Sequence, residues 1–382
     1  VLPPRARVGV FDGQQDFGVV ARSGVAAFDP ALGRYEIVAG GAEFWGPGAG
    51  FHFIWKRIAG DASLAIELSH AREGAVAVMV RQSLERDSVA AIARVPADGR
   101  AVLQLRDVPD GDVVEIVSRE REPRRIRIEK RGLYVSLAVA GDGEELRPAG
   151  GSALLPIIGD YFIGIATHAE DAGATARFDL ADVQLSTGTE AEPSLVSTLE
   201  AIAVATRRRR VIHCTRDPIE APNWTPDGET LLFNGRGRIY RMPASGGAAV
   251  AIDTGFAARC NNDHGLSPDG ALLALSDQSE EEHSIIYLVP SAGGVPRRIT
   301  ALGPSYWHGW SPDGGTLAYC AYRDGRFGIF TTPIAGGDER RITTAAPHGL
   351  DDGPDYSPDG AWIYFNSDRS GRMQIWRVRP DG

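Results

Sequence analysis

From residue 209 onward, apolar and polar residues alternate in short runs, and each run follows the same tight corner. The corners are Thr225-Pro226-Asp227-Gly228, Ser267-Pro268-Asp269-Gly270, Ser311-Pro312-Asp313-Gly314 and Ser357-Pro358-Asp359-Gly360. A type I turn favours Ser or Asp first, Pro second for its preset φ, and Gly fourth. Each corner therefore reverses the chain between two strands. Alternating runs follow at 230–233, 271–275, 316–319 and 361–365, and third strands are predicted at 238–241, 285–289, 328–330 and 374–377. Two repeats add an Arg-Arg-Ile-Thr strand at 297–300 and 340–343. The corner aspartates lie 42, 44 and 46 residues apart, the spacing of four-stranded propeller blades. One blade cannot bury both faces of its sheet, so neighbours must stack.

The first half lacks the corner. Strand-like alternation appears at 35–38, 51–56, 63–68, 75–80, 113–117, 125–130, 133–137, 162–166 and 176–180. Many short strands without helical periodicity predict a β-sandwich. Residues 187–194 are rich in Ser, Thr, Glu and Gly and read as a linker. Residues 195–206 read as weakly helical, and Arg207–Arg210 as a solvated, basic entry to a strand.

Composition narrows the function classes. The 382 residues carry a net charge of −10, which disfavours a nucleic-acid partner, because phosphate binding needs clustered positive surface. No run approaches the roughly 18 apolar residues of a membrane helix, so membrane insertion is not expected. Cys214, Cys260 and Cys320 are an odd, widely spaced set. They suit buried free thiols, with one disulfide left open. The chain opens at Val1, which fits a processed product or a fragment.

The phrase Ser-Pro-Asp-Gly, an apolar run, Ile-Tyr-x-x-Pro, Gly-Gly and then Arg-Arg-Ile-Thr resembles the TolB-type propellers of bacterial periplasmic proteins, over about residues 209–382. The TolB propeller has six blades and an α/β domain ahead of it. Here four corners are visible, the fourth repeat stops at Arg379-Pro380-Asp381-Gly382, and continuation of the natural protein past 382 is expected. The segment 209–215, Arg-Arg-Val-Ile-His-Cys-Thr, resembles a fourth strand and is predicted to close the propeller edge. Residues 6–187 are similar to concanavalin A-like jelly rolls, through 42–46 (Ala-Glu-Phe-Trp-Gly), 51–55, 78–84, 127–132 and 161–166. The expected fold is all-β: a concanavalin A-like jelly-roll β-sandwich at 1–187, a linker at 188–208 and a TolB-like β-propeller at 209–382.

The strand before each corner is innermost in a propeller, so its start lines the central channel. That position holds Asn223; Asn262, Asp263 and His264; Trp307 and His308; and Asp351 and Asp352. His264 and His308 both stand three residues before a corner. With Asp263 and Asp352 they are candidate ligands for a divalent metal (Mn²⁺, Zn²⁺ or Fe²⁺), since imidazole plus carboxylate suits such ions. Capping of the inner strands explains the same residues equally well. His213, His283 and His348 read as incidental. In the jelly roll, Trp45, Trp55 and Tyr134 are candidate sugar-stacking platforms, although aromatics at alternating positions also suit a core. Glycan cleavage by a retaining pair needs two carboxylates about 5–5.5 Å apart. No Glu-x-Asp-x-x-Glu-like triplet occurs; Glu67 and Glu129 sit on separate runs.

These resemblances imply a periplasmic or extracellular protein. Its leading function is non-enzymatic recognition of a glycan or a protein or peptide partner, through the jelly roll and the propeller channel face. The alternative is a metal-dependent polysaccharide lyase or hydrolase at the channel, because related propellers such as oligogalacturonate lyases hold a divalent metal with channel histidines.

Overall fold

A computed structural model describes residues 7–68, 74–188, 195–344 and 349–382, and every regular element in them is a strand. The chain divides into two compact units, Val1–Arg216 and Asp217–Gly382.

In the first unit, nine strands form one sheet in the order Gly13–Gly18, Gly50–Ile58, Tyr161–Ala169, Gly74–Arg81, Ala90–Arg94, Arg100–Arg106, Val114–Arg121, Arg209–Thr215 and Ser197–Ile202. A second sheet runs Arg147–Pro148, Tyr134–Ala140, Arg125–Arg131, Ala62–Glu67 and Gln184–Thr187, with Ala153–Leu154 paired beside Tyr134–Ala140. The two share one core, in which Ile54, Val78, Val80 and Leu103 meet Leu64, Ile66, Ile126 and Ile128. Strand pleating explains the pattern, since successive side chains point to opposite faces. Arg125–Arg131 sends Ile126 and Ile128 into the core and Arg125 and Arg127 outward. Gly50–Ile58 is buried on both sides: Ile54 enters the shared core, while Phe53 and Trp55 join a second apolar cluster with Phe17, Phe51 and Met79.

Three expectations change here. Segment 209–215 does not close the propeller. It pairs antiparallel with Ser197–Ile202 and, at Arg209 and Arg210, parallel with Ile116 and Val117. Burial of Val211 beside Ile116 in the shared core holds it there, with Arg209 paired to Glu200 at 2.6 Å. The weakly helical 195–206 contains strand Ser197–Ile202, because pairing with this partner outweighs a weak local preference. Residues 189–194 of the expected linker and His348 lie outside the described residues. The basic run is ion-paired as well as solvated: Arg208 reaches Glu115 at 3.1 Å and Arg207 reaches Asp107 at 3.6 Å. All three cysteines are free thiols, Cys260 and Cys320 buried.

The second unit contains four successive antiparallel sheets, called blades 1–4. They begin with the inner strands Glu220–Trp224, Cys260–Leu266, Ser305–Trp310 and Asp351–Tyr356. Blades 1–3 have four strands, and the described part of blade 4 has three. The corners close as their chemistry dictates. In blade 3 the Gly314 N–H donates to the Ser311 carbonyl at 2.8 Å, and the Ser311 hydroxyl donates to Asp313 at 2.5 Å. Asp313 accepts from the Gly315 N–H at 2.9 Å, while Ser311 Oγ accepts from the Thr316 N–H at 2.9 Å. Gly314 sits at φ 71°, in the left-handed region that glycine enters without steric cost.

Two repeated devices stack the blades. In blades 1–3 the second-strand residue six positions after the corner glycine bonds the backbone of the next inner strand: Asn234 Nδ2 to the Cys260 carbonyl at 3.0 Å, Ser276 Oγ from the Trp307 N–H at 2.8 Å, and Cys320 Sγ to the Asp351 carbonyl at 3.2 Å. Opposite each lies an isoleucine, Ile239, Ile286 or Ile329, and all three are fully buried. The equivalent pair in blade 4 is Asn366 and Ile375, and Ile375 is 76% exposed.

Ile286→Ala is expected to lower stability by about 2–5 kcal/mol through the cavity it leaves. Ile375→Ala is expected to change it by no more than about 0.5 kcal/mol. Urea denaturation of the two variants measures both, and equal losses would refute this account of stacking.

Candidate functional site

Each inner strand carries a register shift against its neighbour, at 220/223, 260/264, 307/309 and 352/355. A bulge inserts an unpaired residue and re-aims side chains. In blade 3, Trp307 pairs with Tyr319 and Gly309 with Ala318, which makes His308 the extra residue. Its imidazole stands between carboxylates of the flanking blades: Nε2 is 3.2 Å from Asp352 Oδ1, and Nδ1 is 3.9 Å from Asp263 Oδ1. Together with Asn261, Asn262, Tyr306, Cys320, Phe327 and Leu350 they surround a cavity of about 290 Å³.

The two carboxylates differ in environment. The hydrogen bond from His308 holds the Asp352 carboxyl below the usual aspartate range, against the opposing effect of burial. Burial pushes the Asp263 carboxyl above that range; His308 and the Asn261 amide oppose the shift, while Asp352 and Glu220 add to it. The difference follows the distances, since His308 lies closer to Asp352. Burial, reinforced by the nearby Asp263, also raises the Tyr306 phenol.

Other residues expected in this site serve the fold. His264 is buried beside Asp263 in sequence but donates its Nδ1 proton to the Asn262 carbonyl at 3.0 Å; burial pushes its pKa down to about 4, so it is neutral. Trp307 packs with Trp310 in the apolar contact between blades 2 and 3. Asp351 is buried and takes two bonds of 2.8 Å from Arg369. Asn223 ties blade 1 to blade 2 by donating to the His264 carbonyl at 3.0 Å. Asn262 is exposed at the cavity.

The proposed metal set of His264, His308, Asp263 and Asp352 does not assemble. Ligand atoms for one ion must converge on a centre about 2.0–2.1 Å from each nitrogen. Here the His308 nitrogens face carboxylate oxygens directly, and among the described residues no three His, Cys, Asp or Glu side chains form such a group. Strand alternation was the available signal: Asp263 and His264 are neighbours, as are Trp307 and His308. Asn261, Phe327, Cys320 and Leu350 were missed. Asn261 shares its strand with Asp263, Cys320 pairs with Tyr306 within blade 3 and Phe327 lies on that blade's third strand, while Leu350 comes from blade 4; strand pairing and blade stacking bring them to one cavity.

In the first unit, Trp45, Trp55 and Tyr134 do not form one platform. Tyr134 is exposed on the smaller sheet, and Trp55 is buried against Phe162. Trp45 alone borders a groove of about 620 Å³ on the nine-stranded sheet, with Phe44, Arg81, Glu85, Asp87, Asp110 and Asp112 also on its walls. Two arginines that sequence reading missed build this groove. Arg81 is buried, and burial pushes its pKa down to about 9; its Nε donates to the Ser83 carbonyl at 2.7 Å. Arg106 donates to the carbonyls of Ser88 and Arg86 at 2.8 Å, and stacks 5.3 Å from the Trp45 ring centre. Together they pin the loop 82–89 that forms one wall.

Residues 300–382 match the TolB beta propeller domain family. The four-blade unit is a TolB-type propeller. An uncharacterized protein of Agrobacterium fabrum is 55% identical over 190 residues, covering 50% of this chain and 64% of that protein. The Tol-Pal system protein TolB of Francisella tularensis (strain WY96-3418) is 28% identical over 175 residues, covering 43% of this chain and 39% of that protein. A solved TolB structure from Acinetobacter baumannii is 22% identical with a TM-score of 0.42, covering 47% of this chain and 46% of that one. The chain therefore spans less than two thirds of the length of these relatives. No helix among the described residues is long and apolar enough to cross a membrane.

In this TolB-type propeller, His308→Ala is expected to raise the Asp352 carboxyl pKa, readable by carbon-detected NMR titration. The sign for stability follows. A carboxyl depressed in the folded state contributes fully above its unfolded value, near 4, and the contribution is lost as pH falls through the folded value. The stability gap between wild type and His308→Ala should therefore shrink in acid. An unchanged Asp352 titration would refute the pairing.

Proposed function

We propose that this chain is a recognition protein whose TolB-type propeller docks a protein partner at the inner-strand end of its channel. One observation carries the reading: Asp263, His308 and Asp352, from three consecutive inner strands, meet at one cavity. Asp263 and His308 fall inside register shifts, which present side chains away from the ladder, and Asp352 borders one. The lyase or hydrolase alternative is not favoured, because it needs a channel metal and the candidate ligands do not converge. By resemblance to TolB proteins the compartment is periplasmic, with extracellular export as the other reading from sequence.

The test is selection of peptides from a displayed random library on the purified chain. Peptides recovered on wild type are expected to lose at least tenfold in affinity, about 1.4 kcal/mol, on His308→Ala, with unchanged thermal midpoint. Selected peptides that ignore this substitution and Asp352→Asn, or failure to select any, would refute channel docking.

The groove beside Trp45 supports a second reading: the first unit, as a concanavalin A-like jelly roll, binds a glycan. An aromatic wall beside carboxylates and guanidiniums suits a sugar, whose ring stacks while its hydroxyls find donors and acceptors. Titration with a panel of neutral oligosaccharides should quench tryptophan fluorescence saturably in wild type and at least tenfold more weakly in Trp45→Ala. Equal quenching in both, or none in wild type, counts against this reading.

A further inference from the structure

The geometry points to a cationic anchor for the propeller: the cavity between blades 2, 3 and 4 takes an arginine side chain of the partner. The inference rests on the recognition reading and names the chemistry of the same site.

The argument begins with Asp263. Its side chain is nine-tenths buried, and Oδ2 accepts from the Asn261 amide at 2.6 Å. Oδ1 accepts no hydrogen bond among the described residues; the His308 Nδ1 atom stands 3.9 Å away. The small exposed part of the Asp263 side chain opens on the cavity it lines, where a ligand donor can reach a carboxylate otherwise largely withdrawn from water. Asp352 lies across the same imidazole, with its carboxylate 44% exposed at the cavity. No lysine or arginine is among the residues lining this cavity. Two carboxylates from two blades thus meet at a cavity whose lining holds no lysine or arginine.

The remaining walls select the kind of cation. Tyr306 and Phe327 lie with ring centres 6.4 Å apart on one side. A planar guanidinium stacks on aromatic faces and offers five donors in a fork suited to carboxylates. It is also less strongly hydrated than an ammonium, so it loses less on entering a partly buried site. A cavity of about 290 Å³ suits one side chain rather than a folded domain, which makes this an anchor point within a larger contact. Buried, desolvated arginine anchors dominate many interfaces.

The probe is Nα-acetyl-arginine amide, compared with Nα-acetyl-citrulline amide, its uncharged near-isostere. Binding is read from the imidazole resonances of His308 in the full chain. The arginine probe should shift them saturably, and citrulline at least tenfold more weakly. Asp352→Asn should reduce arginine affinity at least tenfold. Asp263→Asn should do the same, and thermal midpoints close to wild type would show both variants folded. Equal binding of citrulline, or arginine binding unaffected by both substitutions, overturns the cationic anchor. Selected peptides that need His308 but contain no arginine would also overturn it, while leaving channel recognition intact. The absence of any channel-dependent peptide would remove both.

Discussion

The second unit depends on one contact made three times. A polar side chain from each second strand closes a hydrogen bond to the next inner strand, and an isoleucine opposite it is buried by the next blade. The hydrogen bond ties the second strand to backbone of the next blade's inner strand, and the isoleucine supplies apolar burial at the same point. Asn, Ser and Cys all fill the polar position, since the requirement is for a donor or acceptor of short reach. The same contact sets the spacing of inner strands and so decides which side chains can meet.

The channel site follows from that spacing together with local irregularity. Regular strands would have continued each ladder and kept their side chains in register with neighbours. The bulge at His308 breaks the alternation at one residue and places an imidazole between two carboxylates of other blades. The same pleating buries Trp307 and His264. Polar residues in this region therefore divide into two groups. His264 and Asn223 bond backbone carbonyls and Asp351 holds the exposed Arg369, while Asp263, His308 and Asp352 line the cavity.

In the first unit the comparable constraint is double-sided burial of Gly50–Ile58. One face feeds the shared core and the other supports the aromatic cluster beneath the Trp45 groove. Arg81 and Arg106 donate to carbonyls of the loop 82–89 and so shape the groove.

The corners were legible in the sequence because their chemistry is local: Ser, Pro, Asp and Gly satisfy one another within a few residues. Short-range alternation likewise located most strands, including Arg125–Arg131 and Tyr161–Ala169. Residues 209–215 show where such reasoning ends. Their strand character was readable, but their partner was not, because burial of Val211 beside Ile116 depends on residues far away in the chain. The separation of His308 from His264 was likewise decided in three dimensions. Pleat direction, bulge position and blade stacking each depend on pairing between distant segments, and no window of sequence contains both sides of such a pair.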